Sequence, residues 1–387
     1  MTRKLFRLLP LLLAAMTLAG CNGGLGRSEV EYFGFRSDDD SEWGLMSTDG
    51  KVLFAERFEN SPGAAVNGRF CVYDTDAEMY DIYTAEARPR KIGTYKDVGA
   101  FTSDLCPVVG EDNYMFFIDK EGNKAFDLRE INGSKVIQAY DFLDGLSMVK
   151  LENEKWGFID MTGKVVIPCK YADAWNFCEG LALVYMDTPY ENDNAKWGVV
   201  DTKGNLLFTK KFSDVEPDGF RYSEGLLVAK KHDKMVLLDK EGNVVKKLKS
   251  GTSTTPVYNG KFVYYDENKE KYGMLGIDGE QVLPVKYSSL YYNGKIIVGS
   301  TDDEKYYILD EQGQKVAKLP KGWPNLFESE YKNYDKFILV GNYSDNYELV
   351  DLKGQKQPLE APVCEINASY FSLAITSSDF EEEDDEY

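Results

Sequence analysis

The sequence predicts an all-β repeat fold: a β-propeller of antiparallel units with three or four strands each, or else an open β-repeat array. Three observations carry this. A motif recurs about every 38 residues, a particular turn sits at its centre, and no stretch shows the apolar period of a helix. The motif is clearest in KWGFIDMTGKVVIP, residues 155–168.

Nine copies start at Trp43, Tyr80, Met115, Trp156, Trp197, Met235, Tyr272, Tyr306 and Tyr347. Six of them place Asp three residues before Gly: Asp119 and Gly122, Asp160 and Gly163, Asp201 and Gly204, Asp239 and Gly242, Asp310 and Gly313, Asp351 and Gly354. Asp at the first and Gly at the fourth position suit a type I turn whose glycine takes the left-handed conformation of a bulged hairpin. Ala87 replaces the glycine in the second unit. The flanking runs, such as WGFID and KVVIP, are rich in β-branched and aromatic residues and predict two strands. A third strand precedes them, as in GLALVYM at 180–186. The looser segment before it, YADAWNFCEG at 171–180, has room for a short fourth. Trp43, Trp156 and Trp197 are expected to pack in the core, because Tyr or Met takes their place in the other six units. A lone unit of this size cannot cover both faces of its sheet, so neighbours must stack. At the ends, VEYFGF from Val30 and SLAITSS at 372–378 both read as strands without a complete unit. Pairing these two would close a ring. The repeat domain is therefore placed at residues 30–378.

The units resemble the WG-repeat family, whose copies read roughly W-G-[FY]-I-D-x-x-G-K-x-V-I-P-x-x-Y followed by F-x-x-G-L-A-x-V. Trp156 to Val184 follows that pattern nearly throughout, Trp197 to Val228 well, and Trp43 to Phe54 in part. The copies at Tyr80, Met235, Tyr306 and Tyr347 keep mostly the turn and the apolar alternation. The resemblance implies a repeat-built β fold and carries over no catalytic residue.

The N-terminus is a targeting segment. Arg3, Lys4 and Arg7 precede an apolar run from Leu8 to Leu18, which is too short for a comfortable transmembrane span. The run ends Leu18-Ala19-Gly20-Cys21 and resembles the lipobox of bacterial lipoproteins. That resemblance implies a signal peptide at 1–20, a lipid on Cys21 and a tether at 21–29. The expected location is the bacterial cell envelope, most simply the outer membrane, with the chain anchored and not spanning.

Net charge is -20, and the final nine residues, DFEEEDDEY at 379–387, are almost wholly acidic. This excludes a nucleic-acid binder, which needs a basic stripe, and the tail reads as a solvated disordered end. Five cysteines remain after Cys21, none at the C-x-x-C spacing of a zinc or redox site, and they are expected to be separate thiols. His232 is the sole histidine, in a loop, so Ser-His or Cys-His catalysis has no second candidate. The loops before the Trp-Gly strand are acidic in many units and should share one face. One of them spaces Asp74, Asp76 and Glu78 like oxygen ligands to Ca²⁺, but it lacks the glycine of a Ca²⁺ loop. No cofactor is expected.

The expected function is non-enzymatic: a membrane-anchored binding or scaffolding module that meets a protein or glycan partner through its repeat loops. The alternative is a carbohydrate-binding protein or carbohydrate-active enzyme, which would need two convergent carboxylates in a cleft. Lipidation has a direct test. Cys21→Ser should move the protein from the membrane pellet to the soluble fraction, and continued detergent-dependent sedimentation would refute the anchor.

Overall fold

The computed structural model describes residues 30–187, 194–218, 221–301, 305–325, 336–342, 345–367 and 374–376. The signal, tether and acidic-tail assignments at 1–29 and 379–387 lie outside these residues. Among the described residues no helix is long and apolar enough to cross a membrane.

Each repeat forms four antiparallel strands in chain order, the first innermost and the fourth outermost. The fifth sheet is representative: Asp173–Ala174, Leu181–Tyr185, Lys196–Asp201 and Leu206–Lys211. The looser segment of the sequence thus supplies the short inner strand, and the Trp-Gly strand is third. Among the described residues there are eight hydrogen-bonded sheets; the first has eight strands, and its two four-stranded halves, joined where Val30–Arg36 pairs with Ala65–Val66, are the first and second of nine repeat sheets, the last being Trp323–Asn325, Phe337–Asn342, Asp345–Asp351 and Lys356–Gln357. The first sheet is assembled from both ends of the chain. Val30–Arg36, Trp43–Ser47 and Val52–Phe58 are joined on the inner side by Glu365–Asn367, in the register Gly34 to Asn367, Phe35 to Ile366 and Arg36 to Glu365.

The core shows that the ring is closed. Nine apolar clusters are found among the described residues, and each combines two neighbouring sheets. Nine stacked sheets in an open array would have eight interfaces. The ninth joins Leu339 and Leu349 of the last sheet to Phe33, Phe35 and Met46 of the first. The fold is a nine-bladed β-propeller.

One expectation is corrected. The strand expected to close the ring, 372–378, does not pair with the first strand. Glu365–Asn367 does so instead, because the chain reaches the first sheet one short segment earlier than the apolar pattern suggests. The later strand, Ala374–Thr376, adds to the inner edge of Ser134–Tyr140 in the fourth sheet, and Ile375 is fully buried between the third and fourth sheets.

The Asp-x-x-Gly turns perform two tasks. In the fourth sheet, Gly163 donates to the Asp160 carbonyl at 2.9 Å. The Asp160 carboxylate accepts from the Thr162 hydroxyl at 2.6 Å, the Thr162 amide at 2.9 Å and the Lys164 amide at 3.1 Å. Partial burial raises the Asp160 pKa, but these donors outweigh it and hold the carboxyl below its ordinary value. The same amide contacts recur at Asp119, Asp201, Asp239, Asp310 and Asp351. The second task is docking. Gly163 has φ +80°, and a Cβ there would lie 2.7 Å from the Phe126 ring on the outer strand of the preceding sheet. Gly242 meets Phe208 in the same way, also at 2.7 Å. The glycine therefore serves both the turn and the seam between sheets.

The glycine of Trp-Gly has a different cause. A Cβ on Gly157 would stand 2.6 Å from the Ile167 carbonyl oxygen and 2.7 Å from the Cys169 amide nitrogen, where the outer strand bulges over it. Beside it, Trp156 and Trp43 are 8% exposed, and Trp197, fully buried, donates from Nε1 to the Val215 carbonyl at 2.6 Å.

A second set of turns joins the inner strand to the second strand through a two-residue hairpin with both residues at positive φ, such as Glu179-Gly180 and Glu224-Gly225. Their side chains link neighbouring sheets. Asp144 accepts from the Gly180 amide at 2.9 Å, and Glu179 accepts from the Glu224 and Gly225 amides at 2.7 and 2.8 Å. Glu224 in turn accepts from the Asn259 and Gly260 amides.

Gly163→Val should lower the unfolding free energy by about 2 kcal/mol or more, combining left-handed strain with the Phe126 overlap. Gly133 shares φ +80° but has nothing within 4 Å of its Cβ position, so Gly133→Ala should cost only about 1 kcal/mol. Equal losses in denaturant melts would show that the seam contact is not needed.

Candidate functional site

A cavity of about 300 Å³ lies between the fifth, sixth and seventh sheets, where the inner strands turn toward the second strands. Trp175 and Phe177 come from the fifth sheet, Asp218 and Arg221 from the sixth, and Ser253 to Val257 from the seventh. All but Ser253, which ends the inner strand Thr252–Ser253, lie in the connections between inner and second strands. The floor is apolar, with Phe177 buried against Phe158 at a ring separation of 4.8 Å.

The polar groups are unequal. The side chain of Asp218 is 6% exposed, accepts from the Ser253 amide at 2.8 Å and faces Lys230 at 3.5 Å. Burial pushes its pKa up against the lowering pull of Ser253 and Lys230. Arg221, half-buried, donates from Nη2 to the Tyr258 hydroxyl at 2.9 Å and has no carboxylate partner among the described residues. The Ser253 and Thr254 hydroxyls are turned to backbone carbonyls.

The most strongly perturbed acid lies elsewhere. Asp141 is 1% exposed at the boundary of the third and fourth sheets. Its Oδ2 accepts from the Ala100 amide at 3.1 Å and its Oδ1 has no hydrogen-bond partner. Burial raises its pKa well above the carboxylate range, and burial likewise drives up the thiols of Cys71 and Cys106 nearby. All three side chains are enclosed in the core, and burial is the main cause of each shift.

The residues singled out in the sequence fall mostly away from the pocket. The paired Asp and Gly residues are turn and seam elements. Asp74 spends its Oδ1 on the Asp76 and Ala77 amides, both at 3.0 Å, and the described residues contain no group of three or more potential metal ligands that includes Asp76 and Glu78. Cys71, Cys106, Cys169 and Cys364 are free thiols, whereas Cys178 is disulfide-bonded, which corrects the expectation of five separate thiols. His232 is exposed in a two-residue hairpin at φ +59°. The acidic loops join second to third strands and share one face, with 188–193, 302–304 and 343–344 outside the described residues. That face is interrupted by a second cavity, of about 550 Å³, bordered by Lys196, Lys210, Lys211 and Lys231. The tyrosine doublets split as an alternating strand requires, with Tyr292 5% and Tyr291 38% exposed. Sequence reasoning did not find Trp175, Asp218 or Arg221 as a site. Their one trace was the recurrence of polar and aromatic residues in the looser segments.

Comparison with known proteins agrees with the repeat and the fold. Residues 156–187 and 197–234 match the family described as WG containing repeat. No curated protein matches the chain. Among solved structures, a eukaryotic initiation factor is 12% identical and covers 89% of this chain and 98% of that one, with a TM-score of 0.59. BamB from Moraxella catarrhalis is 13% identical over 76% and 93% with a TM-score of 0.40, and AztD from Citrobacter koseri is 10% identical over 89% and 96% with 0.39. At these identities the first likeness speaks to the fold alone.

Asp141 generates a pH prediction. Its folded-state pKa lies above its unfolded value, so its contribution to stability is present at low pH and is lost as pH rises from about 4 through the raised value. Relative to Asp141→Asn, the natural chain should lose denaturant midpoint over that window. Parallel pH profiles for the two would refute a carboxyl held neutral by burial.

Proposed function

We propose that the protein is a non-enzymatic binding module of the bacterial envelope, a WG-repeat propeller held at the membrane by a lipid on Cys21, with its ligand site in the pocket between the fifth, sixth and seventh sheets. The observation that carries this reading is the pocket itself. It is largely apolar and aromatic, lies beside the inner strands, and brings together a few polar groups from three sheets, which is the anatomy of a small-ligand site. Asp218 is the single carboxylate among the described residues that line it, and that carboxylate is already held by Ser253 and Lys230. This supports binding over hydrolysis by paired carboxylates, where a second acid would face the first across about 5–10 Å. The acidic loops and the lysine-bordered cavity on the opposite face offer separate surfaces for a protein partner.

A carbohydrate ligand is the second reading. Trp323 favours it, being 61% exposed on the inner strand of the ninth sheet, where its ring is free to stack. The two readings separate in one experiment. The tagged mature chain, its Trp175→Ala variant and its Trp323→Ala variant are each offered to a glycan array and to envelope extract. The pocket reading expects capture that is lost with Trp175→Ala and retained with Trp323→Ala. Glycan capture lost only with Trp323→Ala would replace it with the sugar reading.

A further inference from the structure

We infer that the pocket is a receptor for a small organic carboxylate with an apolar body, its anionic head gripped by Arg221 and its body laid against Trp175 and Phe177. This rests on the reading of the pocket as the ligand site and adds the chemistry of the ligand.

The inference starts from an imbalance. The chain carries 65 acidic and 45 basic residues, so a half-buried arginine should easily find a carboxylate. Arg221 has found none among the described residues, only the Tyr258 hydroxyl. A guanidinium has five donors in a fixed fork, so most of its capacity points elsewhere. The acids closest in the chain are committed. Asp218 is held by Lys230 and the Ser253 amide. Glu224 is held by the Asn259 and Gly260 amides, and Glu179 by the Glu224 and Gly225 amides. The relay that ties the sheets together therefore consumes the carboxylates that would otherwise neutralise Arg221. Tyr258 holds the guanidinium at the wall while its remaining donors stay available.

The other walls decide the ligand's body. Trp175 and Phe177 supply ring surface, Pro256 and Val257 supply apolar surface, and the Ser253 and Thr254 hydroxyls are satisfied internally. The site thus offers one cationic fork in a mostly apolar wall, with Asn176 and Thr255 as the further polar side chains beside the committed Asp218, Ser253 and Thr254. A cavity of about 300 Å³ fits a small molecule, not a folded partner. A planar carboxylate matches the fork in two parallel hydrogen bonds, and the apolar body is what the rest of the pocket rewards.

The test is a titration of the intact mature chain by calorimetry with benzoate, indole-3-acetate and hexanoate, each beside its neutral amide. Each acid should bind at least tenfold more tightly than its amide, since a charge-assisted pair contributes about 1.5–3 kcal/mol. Arg221→Gln should erase that difference while leaving amide affinity within about twofold, and Arg221→Lys should restore part of it, keeping the charge without the fork. Trp175→Ala should weaken acid and amide together. Acids and amides that bind equally, yet depend on Trp175, would overturn the carboxylate inference and leave the pocket reading intact. Binding indifferent to both residues, or no binding to a natively melting chain, would overturn both.

Discussion

Ring closure is the constraint on which the rest of this structure depends. Each sheet has four short strands and apolar residues on both faces, and it is covered only by its two neighbours. Nine sheets with nine seams leave no face open. The last seam exists because Glu365–Asn367 returns from the end of the chain to complete a sheet begun at Val30. Were that strand to leave, the first sheet would lose its inner edge, and the contacts of Phe33 and Phe35 with Leu339 and Leu349 would lose their support. The channel wall is a consequence of the ring, since inner strands face a common axis only when the circle is complete. The pocket between the fifth, sixth and seventh sheets inherits its shape from that geometry.

Two turn families keep neighbouring sheets in step. The Asp-x-x-Gly turn sets its glycine against the outer strand of the preceding sheet, as Gly163 does against Phe126. The inner turns pass a carboxylate from one sheet to backbone amides of the next, as Asp144, Glu179 and Glu224 do in succession. One device works at the outer strands and the other at the inner turns, so the three seams from the fourth to the seventh sheet are fixed at two radii. The lower sheet-to-sheet freedom that results suits a site whose side chains come from three different sheets.

The outer device was readable in the sequence and the inner one was not. Asp160 and Gly163 stand at a fixed spacing beside a Trp-Gly strand, and local turn chemistry is enough to interpret them. The unit boundaries, the four strands and the all-β class follow from the same local signals. Trp175 is separated by dozens of residues from Asp218 and Arg221, and all three lie next to inner strands as short as Asp173–Ala174 and Glu216–Pro217, which leave almost no periodic trace. Their proximity is a product of the ring, not of the chain. The closing strand was misplaced for a related reason. SLAITSS has stronger apolar alternation than CEIN at 364–367, but pairing with Phe35 depends on which segment reaches the first sheet. Asp141 likewise looks ordinary in sequence, and only the packing of the third sheet against the fourth strips it of solvent.

The proposed ligand site takes its side chains from three neighbouring sheets and so depends on a closed ring, which makes closure the claim to test first. Hydrogen exchange of the intact chain, followed by mass spectrometry, reads it directly through peptides covering Phe33–Arg36 and Cys364–Asn367. The account predicts that both are protected to the same degree as the second and third strands of the fifth sheet, Leu181–Tyr185 and Lys196–Asp201. Free-chain exchange at Cys364–Asn367, with the fifth sheet still protected, would show an open array and contradict it.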